Sequence, residues 1–225
     1  MGTYALYRGN VGAQAADSSG NLRTLTVVGT PGNSTTSPPE GDAWLCSLSS
    51  TSDYFKIPLA AIPPSGVSGF GSICFYWNPG NNGTNQQSFH IAGAGYFSCH
   101  NALGGTSLVV EYTKVGGGSG SVTQGGMTLG VTYAVRVAWT SGNVALTIEG
   151  IGTTNSAFGL DFGTPSDTAR NTIGVNSYSG IIWPMTNCKL DLFQLSDDPA
   201  AVFPPVSGVT GSLLSPTFMR RRRRQ

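Results

Sequence analysis

The sequence has little charge. Lys and Arg number 12 and Asp and Glu 11 in 225 residues, so charged side chains make up 10% of the chain, against roughly 25% in an average soluble protein. Histidine is scarcer still, with only His90 and His100. No run of 18 apolar residues occurs, which excludes a transmembrane helix and predicts no membrane partner. The opening Met1-Gly2-Thr3-Tyr4-Ala5-Leu6-Tyr7-Arg8 has no basic region followed by an apolar stretch, so no secretory signal peptide is expected. The four cysteines, Cys46, Cys74, Cys99 and Cys188, contain no C-x-x-C pair. Without an export signal they read as buried free thiols. The two histidines lack ligand spacing, and adjacent Cys99 and His100 are poorly placed to share an ion. No metal and no cofactor is expected.

The net charge of +1 conceals an asymmetry. Five of the basic residues form one run, Arg220, Arg221, Arg222, Arg223 and Arg224; residues 1–219 hold 7 basic and 11 acidic groups, a net of −4. A mildly acidic body with one cationic end excludes nucleic-acid binding over the whole surface but allows a local contact.

Helical periodicity is also missing, and the period of two takes its place. In Tyr133 to Trp139, Tyr133, Val135, Val137 and Trp139 share one face while Ala134, Arg136 and Ala138 take the other. After Thr140-Ser141-Gly142-Asn143 the alternation resumes, with Val144, Leu146 and Ile148 on one face. The two runs read as a hairpin with one buried face. Ile73 to Trp77 is apolar on both faces, as a central strand is. Leu25 to Val28, Ala43 to Leu48, Phe89 to Ala92, Leu108 to Tyr112 and Lys189 to Leu195 add short strands. Gly, Asn and Pro clusters separate them, among them Pro31-Gly32-Asn33, Asn78 to Gly83 and Gly116 to Gly120. With 32 Gly and 13 Pro, the pattern predicts an all-β, two-sheet antiparallel jelly-roll sandwich.

The order of the motifs resembles a known family. Asp17-Ser18-Ser19-Gly20-Asn21 followed by Leu25-Thr26-Val27 and Gly29-Thr30-Pro31 is similar to the opening of laminin-G-like domains of the concanavalin A-like lectin/glucanase superfamily. Asp53 to Pro58, Phe70 to Pro79, Gly130 to Tyr133 with Val144 to Gly150, Thr172-Ile173-Gly174-Val175 and Cys188 to Leu195 then follow in that family's order. The resemblance spans residues 4–200 and implies two packed antiparallel sheets of about six or seven strands each. It divides the chain into a sandwich, residues 1–200, and an extended C-terminal arm, residues 201–225.

Fold alone does not assign function. The superfamily's glucanases carry Glu-x-Asp-x-x-Glu, which places two carboxylates on one sheet face. The nearest approach here is Glu40-Gly41-Asp42, with Leu45 where the last acid belongs. No G-x-S-x-G elbow occurs, and Gly116 to Gly120 lacks phosphate-loop spacing and reads as a hairpin tip. No catalytic residue is expected. Trp77 and Trp139 sit in apolar strand patterns and read as core, whereas Tyr178 and Trp183, in a Ser/Gly loop, are candidate glycan contacts. Asp17 invites calcium, but an Asx turn accounts for it without an ion.

The C-terminal arm lies beyond the resemblance. Phe203, Leu213, Leu214 and Phe218 are its candidate apolar anchors, and Arg220 to Arg224 its polyanion- or partner-binding group. The resemblance to compact domains of tailed-phage structural proteins implies a non-enzymatic virion protein, either decorating the capsid or part of the tail or its fibres. It would be made in the host cytoplasm, form a homo-oligomer, contact other capsid or tail subunits through the arm, and expose loops to host-surface glycans. Packaged DNA is an alternative contact for the arginines. The competing expectation is a stand-alone carbohydrate-binding lectin-like module.

Overall fold

Val135, Val137 and Trp139 are buried while Arg136 and Ala138 between them are half-exposed, so the alternation places one face of this segment in a core. The computed structural model describes residues 2–39, 41–46, 52–63, 69–80, 85–157, 159–161, 163–164, 170–176, 183–184 and 188–202. Fifteen strands follow among them: β1 (Thr3–Tyr7), β2 (Thr26–Val28), β3 (Tyr54–Lys56), β4 (Gly71–Asn78), β5 (Gln86–Ala92), β6 (Tyr96–Asn101), β7 (Ser107–Thr113), β8 (Ser119–Gly125), β9 (Tyr133–Thr140), β10 (Asn143–Ile148), β11 (Gly152–Ser156), β12 (Thr172–Ile173), β13 (Val175–Asn176), β14 (Trp183–Pro184) and β15 (Lys189–Ser196). One 3-10 turn, Leu59–Ala61, is the only helical element described.

The strands form a six-stranded sheet in the order β1-β15-β4-β9-β10-β11 and a seven-stranded sheet in the order β2-β3-β12-β5-β6-β7-β8. Every pairing is antiparallel. The two sheets meet through aromatic rings. Phe89 of the seven-stranded sheet lies 6.0 Å from Phe75 and 5.8 Å from Phe193 of the other, and Phe97 lies 5.3 Å from Trp139, all edge-to-face. Such pairs stabilise by about 0.5–1.5 kcal/mol beyond the area they bury. The two-sheet antiparallel sandwich expected from the alternation is the observed fold. Trp77 and Trp139 are core residues, and the four cysteines are free and buried.

Two expected segments differ. Ala43 to Leu48 forms no strand in its described part. Ala43 N–H donates to Gly9 and Trp44 N–H to Ser34, so its donors serve separate loops, and Cys46 alone bridges to Leu190. Gly116 to Gly120 reads as turn throughout, yet Ser119 and Gly120 begin β8. Gly120 lies opposite Tyr112, where a Cβ would come within 2.6 Å of the phenol ring. Glycine is there for close approach.

The outer face of the six-stranded sheet is also covered. On β4, Ile73, Phe75 and Trp77 face the core, which turns Ser72 and Cys74 outward. Asp198 to Ala201 cross that outer face: Ser72 Oγ donates to the Asp198 carbonyl at 2.6 Å, and Cys74 Sγ lies 3.8 Å from the Ala201 carbonyl. On β15 a bulge between Asp191 and Gln194 sets Leu192 at φ 49°. Fully buried Asp191 accepts Gly9 N–H at 2.9 Å and Leu45 N–H at 3.3 Å through Oδ1. It ties two loops to the strand.

Candidate binding site

β5 is buried along its whole length although its sequence is half polar. Phe89 and Ile91 enter the core, so His90 and Ala92 face outward. A bulge between Gln87 and Phe89 adds one residue and turns Gln87 outward too, opposite His100. Side chains satisfy the interrupted ladder. Gln87 Nε2 donates to the carbonyls of Phe89 and Cys99, the latter at 2.7 Å, and Ser88 Oγ donates to Cys99 at 2.7 Å.

Beside it, β6 sends Phe97 and Cys99 inward and Tyr96, Ser98 and His100 outward. His100 is only 4% exposed, and burial lowers its pKa from 6.5 to about 4. Cys99, on the other face, cannot pair with it. Burial pushes its thiol up to about 12, Ser88 partly offsetting the effect, so it is no nucleophile at neutral pH. On β7, Glu111 and Thr113 share the outward face, opposite Ser98 and Tyr96. Burial raises the Glu111 carboxyl above its ordinary value.

At the Ala92 end of β5 this polar face holds a pocket of about 200 Å³, lined by Ala92, Gly93, Ala94, Gly95, Tyr96, Thr113 and Arg170. Each wall has a cause. Gly93 N–H donates to the Gly95 carbonyl at 2.8 Å and closes the β5–β6 turn. Gly95 passes so close to Thr113 that a Cβ would land on its carbonyl oxygen. Thr113 Oγ1 accepts Tyr96 N–H at 3.0 Å. The half-exposed Tyr96 ring stacks on His90, with centroids 5.9 Å apart and planes 16° from parallel. His90 Nδ1 donates to the Arg170 carbonyl at 2.7 Å; a carbonyl only accepts, so that nitrogen carries the proton. Buried Asn171 accepts Ala92 N–H at 2.8 Å, and its own carbonyl accepts Ile57 N–H at 2.8 Å. The floor is therefore rigid.

The residues expected from the sequence lie elsewhere. Trp183 is on β14, paired with Asn176 of β13. Gly174, one residue before β13, donates to Ser88, so this hairpin lies by the Gln86 end of β5, away from the pocket. Tyr178, the anchors Phe203, Leu213, Leu214 and Phe218, and Arg220, Arg221, Arg222, Arg223 and Arg224 lie outside the described residues. Asp17 is built as a turn. Its carboxylate accepts Leu6 N–H at 3.0 Å, Ser19 N–H at 2.8 Å and Arg23 N–H at 3.0 Å. Burial alone would raise this carboxyl, but the hydrogen bonds from Ser19, Arg23 and Leu6 outweigh it and hold it below its ordinary value. Among the described residues no group of three His, Cys, Asp or Glu is placed to hold a metal ion.

No family model matches the chain and no curated protein matches it in sequence. Solved structures do match. The binding domain of botulinum neurotoxin serotype G superposes with a TM-score of 0.62 at 13% identity, over 86% of this chain and 47% of that one. Domain 4 of a GH43 extracellular arabinanase from Geobacillus stearothermophilus, in complex with arabinotriose, gives 0.62 at 15% identity, over 86% of this chain and 91% of that one. The ligand-binding domain of botulinum neurotoxin serotype D, in complex with N-acetylneuraminic acid, gives 0.59 at 13% identity, over 87% and 47%. The chain shares their β-sandwich fold. It spans about half the length of the toxin domains and nearly all of the arabinanase domain.

Proposed function

We propose that the chain is a carbohydrate-binding β-sandwich module and that the Tyr96 pocket is its site. The observation that carries this reading is a half-exposed aromatic ring, braced by His90, at a small polar pocket on the outer face of the seven-stranded sheet. A sugar ring has an apolar C–H face and a rim of hydroxyls. It needs an aromatic platform beside fixed donors and acceptors, and the peptide groups of Gly93 to Gly95 and the Thr113 hydroxyl supply these. The solved structures of like fold that hold arabinotriose and N-acetylneuraminic acid support the reading. A glycan array followed by calorimetry tests it. Tyr96→Ala is expected to weaken binding tenfold or more, about 1.4 kcal/mol, without changing the circular dichroism spectrum, and Trp183→Ala to leave it unchanged. Unaltered binding by Tyr96→Ala refutes the site.

A second reading, a virion component of a tailed phage held by its C-terminal arm, has its own support. Asp198 to Ala201 leave across the outer face of the six-stranded sheet, and the pocket opens on the opposite outer face. A partner gripping residues 203–225, capsid or tail subunit, would leave the pocket pointing away from it. Deleting those residues then abolishes incorporation into particles and leaves glycan binding intact; retained incorporation refutes this role.

A further inference from the structure

We infer that the pocket selects an N-acetylated amino sugar and reads its acetamido group with main-chain peptide groups. The inference rests on the carbohydrate reading and deepens it. The pocket is polar although four of its seven lining residues, Ala92, Gly93, Ala94 and Gly95, have no polar side chain. Much of that polarity is therefore backbone. The β5–β6 turn closes with one hydrogen bond, from Gly93 N–H to the Gly95 carbonyl at 2.8 Å. Among the described residues no acceptor meets the N–H of Ala94 or Gly95, and no donor meets the carbonyl of Gly93 or Ala94. Ala94 is exposed and Gly93 and Gly95 are half-buried, so these peptide groups are open to a ligand.

An acetamido group is itself a peptide unit. It offers a C=O acceptor, an N–H donor and a methyl in a single plane. A hydroxyl matches such a wall at one point, whereas an amide pairs with it in both senses, as an added strand pairs with a sheet edge. Thr113 Oγ1, which accepts Tyr96 N–H at 3.0 Å, still has its proton to donate to the carbonyl oxygen of the ligand. The methyl needs an apolar neighbour, and the Tyr96 ring and outward-facing Ala92 provide one. The wall is fixed before a ligand arrives. Asn171 accepts Ala92 N–H at 2.8 Å at one end, and at the other Gly95 lies too close to the Thr113 carbonyl for any side chain. Groups already held in place cost little ordering on binding, and a site built to pair with N–H and C=O rejects an analogue that lacks them. At about 200 Å³ the pocket is below the range of roughly 300–1,000 Å³ for drug-sized ligands. It takes one ring with its acetamido substituent and leaves the remainder of the glycan outside.

Calorimetry on the full chain tests this with paired sugars: N-acetylglucosamine and its trimer against glucose and cellotriose, N-acetylgalactosamine against galactose, and N-acetylneuraminic acid against the analogue with a hydroxyl in place of the acetamido group. At least one acetylated member is expected to bind tenfold or more tighter than its partner. Raising salt should leave that preference unchanged, since no charge carries it. The free amines, glucosamine and galactosamine, should bind no better than glucose and galactose. Ala94→Pro deletes one donor and should cut the preference severalfold, while Ala94→Ser, which keeps the donor, should preserve it. The sugar pairs use the unaltered protein and so answer even if Ala94→Pro misfolds. Equal binding within every pair overturns this inference and leaves the carbohydrate reading standing, as does a free amine that binds as tightly as its acetylated form. Binding of no sugar at all overturns both.

Discussion

His100 and Asp191 are buried on opposite outer faces of the sandwich, and burial shifts them in opposite senses. Unfolded, His100 takes a proton near pH 6.5; folded, it resists until about 4. Acidification through that window favours the unfolded chain, and the gap corresponds to about 3 kcal/mol. Asp191 runs the other way. Desolvation raises its carboxyl from 3.8 to about 6, against the pull of hydrogen bonds from Leu192, Gly9 and Leu45 and of Arg8. The folded chain therefore binds its proton first, and acidification from pH 6 to 4 favours folding by about 3 kcal/mol. The two effects nearly cancel in the native protein.

Asp191→Asn separates them. The amide oxygen can still accept from Gly9 and Leu45, and no charge has to be buried. The amide nitrogen takes the place of Oδ2, which has no hydrogen-bond partner, and burying an unsatisfied donor costs about 1–3 kcal/mol. At pH 7.5 the variant should equal the native protein or exceed it by up to about 2 kcal/mol, the loss of a buried charge outweighing that cost. Between pH 6.5 and 4 it should lose about 3 kcal/mol more than the native protein does, because the His100 effect is now unopposed. His100→Gln should gain stability over the same range. Urea unfolding at pH 4, 5, 6 and 7.5 reads these slopes, and groups common to all three proteins, such as Asp17, drop out of the differences. Parallel stability–pH curves for the native protein and Asp191→Asn would refute the reasoning.

Phe89→Ala removes the ring that meets Phe75, Phe97 and Phe193 and should cost about 3–5 kcal/mol in urea unfolding; a loss below 1 kcal/mol argues against the packing. Gly95→Ala drives a methyl onto the Thr113 carbonyl and should abolish glycan binding with a smaller loss of stability, read by calorimetry and thermal melting. Asp17→Ala strands three backbone donors and should cost about 2 kcal/mol at pH 7. Because its carboxyl is held low, the native advantage should fade as pH drops below 4. The four thiols should resist a disulfide reagent in the native state and react together on unfolding, since all are buried and burial lifts Cys74 and Cys99 to about 12; one fast-reacting thiol counts against this.

The sheets were legible because burial on one face leaves a period of two in the sequence. Val135, Val137 and Trp139 against Arg136 and Ala138 specify which side of β9 is inside without any knowledge of its partner. The pocket was not legible in the same way. Tyr96-Phe97 reads as an apolar pair, and only the parity of Tyr96, Ser98 and His100 against Phe97 and Cys99 shows that the tyrosine faces outward. That parity is present in the sequence. The bulge at Ser88, which shifts Gln87 to the same face as His90, has no counterpart in sequence periodicity.

The scarcity of charge acquires a structural meaning from the aspartates. Asp17, Asp42, Asp53, Asp161, Asp191, Asp197 and Asp198, all the described ones, each accept at least one backbone N–H. A sandwich with long loops and almost no helix has many main-chain donors outside its ladders, and these carboxylates satisfy them. The described glutamates do not form a pair. Glu111 is on the outer face of the seven-stranded sheet, whereas Glu149 follows β10 of the other and acts electrostatically on outward-facing Tyr76. Two sheets stacked about 10 Å apart stand between them, so the described glutamates do not converge as the pair that glycoside hydrolysis requires. On the carbohydrate reading, recognition at the pocket falls to a ring, a hydroxyl and peptide groups.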